Sequence, residues 1–154
     1  MPMDSALLKK VKLFEGLTPG QLKKVAEIAE ERSYPASEMI FKEGDAGHEM
    51  FLVDQGKVRI SKNVPGIGEE ALAILESGQY FGEMAVIEDS PRSADAIAHI
   101  SCKLWVIERD KLDQLMFTDK ELAYTLLWTF VRTLSERLRE TNEKLRAFFA
   151  VSKW

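Results

Sequence analysis

The chain has 154 residues, 45% hydrophobic and 30% charged, with a formal net charge of −4 at pH 7. This composition is typical of one globular domain with its own core, and the negative balance argues against a strongly basic nucleic-acid-binding protein. The only cysteine, Cys102, cannot by itself form a disulfide or a cysteine-ligated metal site, and the chain lacks a signal sequence or an apolar run that could span a membrane, so we expect a cytoplasmic protein.

Residues 1–32 are expected to form short helices with one apolar face each. Thr18 and Pro19 are typical of a helix start, because a hydroxyl caps the first turn and proline tolerates the first helical position. Such helices must pack against another part of the chain. Their apolar residues recur at helical spacing: Leu7, Leu8, Val11, Phe14, Leu17, Leu22, Val25, Ile28 and Ala29.

Residues 33–108 divide into short apolar runs that end at turn residues. Runs rich in Val, Ile and Phe between glycine-containing turns predict antiparallel strands. Many short strands without long helices between them favour a sandwich, jelly roll or barrel. They disfavour a parallel α/β sheet, which needs a helical crossover between strands. The runs are EMIFK, EMFLV, KVRISK, EEALAILE, SADAIAH and CKLWVIE.

Residues 109–154 are expected to be helical, with a short helix from Arg109 and a long one from Lys120 to Trp154. The long helix carries an apolar seam at heptad spacing, made of Leu127, Val131, Leu134, Leu138, Thr141, Leu145 and Phe148. The seam predicts a homodimer in which two helices wrap around each other. The alternative is a helix packed lengthwise on its own domain. Charges beside the seam, Arg137 among them, are expected to form a solvated face.

The segment 79–96 has the pattern of neither a plain strand nor a plain helix. Gly82 interrupts an apolar run, and Glu83 begins about one turn of helix-forming residues. A helical turn that opens after glycine presents N–H groups to an anion, and Arg92 can offer a fork of donors to a phosphate. Glu83 would then accept a hydrogen bond from a hydroxyl of the same ligand, which predicts a sugar-phosphate site. The alternative is a surface ion pair between Glu83 and Arg92 around a tight turn.

The sequence FGEMAVIEDSPRSADA resembles the phosphate-binding cassette of the cyclic nucleotide-binding domain family. The resemblance extends to the N-terminal helices, to the first strands with their glycine turns at Gly44, Gly47 and Gly56, and to the final helix, which is similar to the family's C-helix. We call residues 81–94 the cassette. The implied fold is mainly β with flanking helices: a jelly-roll barrel (double-stranded β-helix) with N-terminal helices, a short cassette helix and a long C-terminal helix.

The resemblance implies a role for each residue at the start of the cassette. Gly82 lets the backbone approach the sugar phosphate, and Glu83 accepts a hydrogen bond from the ribose 2′-hydroxyl. The backbone N–H groups near Met84 and Ala85 help to hold the phosphate.

The resemblance also implies the ligand. Arg92 pairs with the cyclic phosphate and Ser93 adds a hydroxyl donor; serine at this position is seen in bacterial catabolite-activator-type proteins, which respond to cyclic AMP.

Thr141 and Asn142 lie where the C-helix of those proteins contacts adenine, although Thr141 could instead specify the register of the seam. Asn142 departs from the expected serine, and an amide both donates and accepts, so cyclic GMP stays an alternative ligand. No cofactor or metal is expected.

We therefore expect one domain over residues 1–154, with N-terminal helices (1–32), a β-barrel (33–108) and C-terminal helices (109–154). The expected function is a receptor for a cyclic mononucleotide that relays its signal through the C-terminal helix. No nucleophile–base pair is apparent, so we expect a non-enzyme. Two alternatives are a non-binding dimerisation module and the sensor half of a transcription regulator. Because the chain ends at Trp154, before any helix-turn-helix pattern, we expect no DNA binding by this chain alone.

Overall fold

A computed structural model describes residues 3–152, and three short helical segments begin the chain. They are α1 (Ser5–Lys10), a 3₁₀ turn (Lys12–Phe14) and α2 (Pro19–Ile28). At the start of α2, the Thr18 hydroxyl accepts from the Gln21 N–H while the Gln21 side chain accepts from the Thr18 N–H. This reciprocal cap fixes the first turn of α2 at the predicted position.

Within residues 3–152, eight strands form two antiparallel sheets of four strands each. The strand orders are β1-β8-β3-β6 and β2-β7-β4-β5. This arrangement confirms the predicted mainly-β fold with flanking helices. The strands are β1 (Ala29–Tyr34), β2 (Met39–Phe41), β3 (Glu49–Gln55), β4 (Val58–Val64), β5 (Gly68–Leu75), β6 (Tyr80–Phe81), β7 (Asp95–Ala98) and β8 (Cys102–Glu108).

The first strand begins earlier than the sequence predicted. Residues 29–32 were expected at the end of the N-terminal helices, but α2 ends at Ile28 and β1 starts at Ala29. The cause is long-range pairing: every residue of β1 is paired with β8, from Ala29 opposite Ile107 to Tyr34 opposite Cys102. Such pairing overrides the local helical pattern.

The hydrophobic core has two parts, which lie on either side of the sheet that contains β3 and β8. Met50 and Leu52 of β3 pack with the N-terminal helices and with the helices that follow β8, whereas Phe51 and Val53 face the other sheet. A sheet covered on both faces needs apolar residues at every position. This explains why EMFLV and CKLWVIE are continuous apolar runs and do not alternate with polar residues.

The chain ends in α3 (Arg109–Thr118) and α4 (Lys120–Ser152). Leu122, Leu126 and Phe130 bury one stripe of α4 in the core, whereas the seam faces solvent, with Leu127 52% and Leu138 61% exposed. The seam is therefore not packed lengthwise on its own domain. The predicted helix end at Trp154 lies outside the described residues. None of the helices within residues 3–152 is long and apolar enough to cross a membrane.

Candidate ligand-binding site

The second residue of the cassette has a left-handed backbone conformation and directly follows β6. Gly82 has a φ of 73° and is followed by a single 3₁₀ turn, Glu83–Val86. An added Cβ at Gly82 would lie 2.8 Å from Nη1 of Arg92 and 3.3 Å from the Glu49 carbonyl oxygen. Glycine is therefore required here both by the backbone conformation and by the close approach of the arginine.

A cavity of about 450 Å³ opens beside this turn. Its volume lies in the range of small-molecule sites. Six of the eight residues predicted for the site line the cavity: Gly82, Glu83, Met84, Ala85, Arg92 and Ser93. Its wall is completed by apolar side chains from the strands, among them Phe41, Ile60, Ala73, Leu75, Tyr80 and Phe81.

Arg92 is a buried cation without a carboxylate partner. It is 8% exposed, and among the described residues it forms no ion pair. Its Nη1 donates to the Gly82 carbonyl at 3.2 Å and its Nη2 to the Glu49 carbonyl at 2.9 Å, while Nε has no hydrogen-bond partner. Burial lowers the pKa of Arg92, and the carboxylates of Glu49, Asp45 and Glu83 only partly oppose this shift.

Gly47 makes room for this guanidinium from the loop before β3. An added Cβ at Gly47 would lie 2.5 Å from Cζ and 2.6 Å from Nη2 of Arg92. The sequence marks Gly47 only as a turn residue. Its contact with Arg92 depends on how β3 and the cassette pack, which no local pattern encodes.

Glu83 is buried as well, at 7% exposed, and it is paired with α4. Its Oε1 accepts a short hydrogen bond from Nη1 of Arg137, whose guanidinium also lies over the Tyr80 ring with its Cζ 5.9 Å from the centroid. Burial opposes ionisation of Arg137, but the hydrogen bond and charge of Glu83 outweigh it and raise the pKa of Arg137. A surface ion pair between Glu83 and Arg92, the alternative interpretation of the segment, is not formed.

Arg137 is the site residue that the sequence analysis missed. It was assigned to a solvated face, yet it is only half exposed and lines the cavity. A signal was present in the helical period, because Arg137 follows Leu126, Phe130 and Thr133 on the stripe of α4 that faces the domain. A charged residue at the next position of a buried helix face indicates an ion-pair partner that is itself buried or half-buried.

Thr141 and Asn142, the other two predicted site residues, are not among the residues that line the cavity. Both are exposed on α4. Thr141 lies one turn beyond Arg137, which is about 6 Å further along the helix axis. The structure therefore brings the cassette residues together but leaves this pair outside.

A sequence model described as the cyclic nucleotide-binding domain matches residues 31–119. The chain is 33% identical over 138 residues to the cyclic AMP receptor protein of Thermus thermophilus, which covers 90% of this chain and 62% of that protein. It is 30% identical over 151 residues to cGMP-dependent protein kinase 2 of Homo sapiens, which covers 96% of this chain and 19% of the kinase.

The chain belongs to the cyclic nucleotide-binding domain family. A solved structure agrees: the N-terminal domain of a transcriptional regulator from Streptomyces coelicolor A3(2) superposes with a TM-score of 0.79 at 27% identity, over 90% of this chain and 94% of that one. The predicted membership of this family and the predicted jelly-roll fold are thus confirmed. The chain spans less than two thirds of the length of the Thermus relative and a fifth of the kinase.

The charges of this cyclic nucleotide-binding domain define what its cavity can hold. Arg137 neutralises Glu83, whereas Arg92 has no neutralising partner. An arginine has five N–H donors, of which the two carbonyls take two. The cavity therefore combines a buried guanidinium that forms no ion pair and keeps free donors with a mainly apolar wall, which the exposed Glu88 also lines.

We predict that Gly82→Ala destabilises the domain by at least about 1 kcal/mol more than Gly66→Ala. Both glycines have positive φ, 73° and 80°, so the backbone strain of the added Cβ is shared. Gly66 has no atom within 4 Å of an added Cβ, whereas at Gly82 the Cβ crowds Arg92 and a backbone carbonyl. Urea unfolding of both variants measures the difference, and equal losses would show that Arg92 does not pack against Gly82.

Proposed function

We propose that the domain is a receptor for a 3′,5′-cyclic mononucleotide, with cyclic AMP preferred over cyclic GMP, and that it has no catalytic role. The observation that carries this proposal is the buried guanidinium of Arg92, which has no carboxylate partner. A buried charge is costly unless it is paired. A bound phosphate supplies the missing partner through charge-assisted hydrogen bonds.

The charge of the cavity favours a cyclic phosphodiester over a phosphomonoester. Because Glu83 is already paired with Arg137 and the other lining carboxylate, Glu88, is exposed, Arg92 is the buried charge of the cavity that has no ion-pair partner. A cyclic phosphodiester carries a single negative charge, whereas a phosphomonoester carries about −1.5 to −2 at pH 7. A nucleoside without phosphate would leave Arg92 unpaired.

The cassette offers further groups to the ribose and phosphate. Arg137 donates to Oε1 of Glu83, which leaves Oε2 to accept a hydrogen bond from the ribose 2′-hydroxyl. Ser93 is exposed at the cavity and can donate its hydroxyl to the phosphate. The Ala85 N–H donates at 3.2 Å to the Gly82 carbonyl, a bond at the long end of the normal range, so the phosphate must compete for this donor. Met84 supplies the neighbouring N–H.

The base would lie against the apolar wall formed by Ile60, Ala73 and Leu75. Cyclic AMP as the ligand is supported by Ser93, through the family resemblance, and by the similarity to the Thermus cyclic AMP receptor protein. The similarity to a cGMP-dependent kinase keeps cyclic GMP as the alternative. We propose that Thr141 and Asn142 contact the base only after α4 moves toward the cavity or a second copy of the chain covers it.

The relay of the signal would begin at the ion pair between Glu83 and Arg137, which joins the cassette to α4. A ligand hydroxyl that binds Oε2 of Glu83 reorients the carboxylate whose other oxygen accepts from Arg137, and α4 responds. The ligand can shift the helix only by its difference in affinity for the two helix positions. Arg137 is thus the residue through which occupancy of the cavity would be coupled to the C-terminal helix.

The output would be a change at the seam of α4. Its apolar side chains are exposed over a long stretch of helix, and heptad spacing favours pairing with the same seam of a second copy. We therefore propose a homodimer through α4, with a geometry that depends on the ligand. A module that dimerises in this way but binds no nucleotide is the competing function.

Replacing Arg92 with alanine should weaken cyclic AMP binding by about 2–5 kcal/mol, because the phosphate would be buried without its charged partner. Isothermal titration calorimetry of wild type and Arg92→Ala measures the loss. Arg139→Ala is the matched control, because Arg139 is exposed on α4 and its hydrogen bond within residues 3–152 goes to the Ser135 hydroxyl. Equal affinity of wild type and Arg92→Ala would reject the role of Arg92, and a wild type that binds no cyclic nucleotide would favour the non-binding module.

Replacing Leu138 with lysine should convert the homodimer to a monomer, because the substitution places a charge in the middle of the seam. Analytical ultracentrifugation measures the change. Leu72→Lys is the control, because Leu72 is similarly exposed but lies on β5, away from the seam. Persistence of the dimer in Leu138→Lys would show that the seam is not the interface.

A further inference from the structure

An aromatic cluster lies against the buried guanidinium of Arg92. Phe51 and Phe81 are stacked with ring centroids 4.9 Å apart, and Phe41 is tilted against both at 5.9 Å. The Cζ atom of Arg92 lies 4.2 Å from the centroid of Phe41 and 5.8 Å from that of Phe51. Phe41 is thus the ring in close contact with the cation, and it also lines the cavity.

The guanidinium is therefore held without an ion pair. Two backbone carbonyls, of Gly82 and Glu49, accept from its Nη atoms, Gly47 leaves the space that it fills, and the face of Phe41 supplies a further electrostatic contact. The negative face of an aromatic ring attracts a cation, most strongly where water is excluded. Because Arg92 is 8% exposed, its contact with Phe41 belongs to that strong class.

We propose that Phe41 is a positioning residue for Arg92, which fixes the guanidinium in its phosphate-binding orientation before the ligand arrives. This inference rests on the proposed receptor function. A ring partner suits this task better than a carboxylate would. A carboxylate would neutralise Arg92 and compete with the phosphate for its N–H donors, whereas the ring attracts the cation and leaves those donors available.

The position of Phe41 in the fold supports this role. It is the last residue of β2, and it is opposite Ala96 of β7, which follows the cassette closely in the chain. The backbone of Arg92 is hydrogen-bonded to the loop that follows β2. Its backbone N–H donates to the Asp45 carbonyl at 2.9 Å, and its backbone carbonyl accepts from the Gly44 N–H at 2.8 Å. The backbone thus holds both partners, and the arginine side chain needs no ligand to find the ring.

The test compares Phe41→Leu, which removes the ring face but keeps an apolar side chain, with Phe41→Tyr, which keeps the ring. Cyclic AMP affinity is measured by calorimetry. The proton resonance of the Arg92 Nε–H is measured by NMR in the ligand-free protein and assigned by its absence from Arg92→Ala. We expect about tenfold weaker binding for Phe41→Leu, together with a smaller ring-current shift of that resonance, because only the more distant Phe51 ring remains beside Arg92. Phe41→Tyr should restore both values to within about twofold of wild type.

Several results would overturn the proposal. One is an unchanged affinity in Phe41→Leu, and another is an Nε–H resonance without a ring-current shift in the wild type. Equal loss of affinity in both variants would mean that the ring face of Phe41 is not what holds Arg92. If Phe41→Leu fails to fold, Phe41→Tyr and the wild-type resonance still decide the matter. A wild-type protein that binds no cyclic nucleotide would overturn the receptor function. A missing ring-current shift would overturn only the role of Phe41, so the two failures can be told apart.

Discussion

A buried arginine that has no carboxylate partner organises the site of this domain. Arg92 is held by the Gly82 and Glu49 carbonyls and by the face of Phe41, and none of these groups removes its charge. Burying an unpaired cation costs stability, and natural structures retain such strain mainly where a ligand relieves it. Two glycines, Gly47 and Gly82, are needed so that the guanidinium fits at all.

The same site contains a second, neutralised charge, and this contrast connects ligand binding to the long helix. Glu83 lies in the cassette next to Gly82, yet its partner Arg137 comes from α4. One charge of the cavity is thus reserved for the ligand while the other joins two parts of the chain. In our account the ligand contacts both residues, which is how occupancy of a small cavity could alter the exposed seam of a helix that extends well beyond it.

The sequence predicted those features that local patterns encode. Glycine-containing turns and apolar runs predicted the strands. The order of Gly82, Glu83 and Arg92 predicted a sugar-phosphate site, and the family resemblance added the other cassette residues, which the structure brings together around one cavity. Features that depend on tertiary packing were missed: the early start of β1, set by pairing with β8, the approach of Gly47 to Arg92, and the role of Arg137. Thr141 and Asn142 do not line the cavity, because they lie one turn of α4 beyond Arg137, and their contact with the base stays a prediction.

A calorimetric comparison of three ligands tests most directly whether the ligand phosphate supplies the one negative charge that pairs with Arg92. Cyclic AMP, adenosine and 5′-AMP share the same base and ribose but differ in phosphate charge. The account predicts tight binding of cyclic AMP, no measurable binding of adenosine and much weaker binding of 5′-AMP, whose phosphate carries about −1.5 to −2. Adenosine bound as tightly as cyclic AMP would contradict the account, because the phosphate would then contribute nothing and Arg92 would not be its partner.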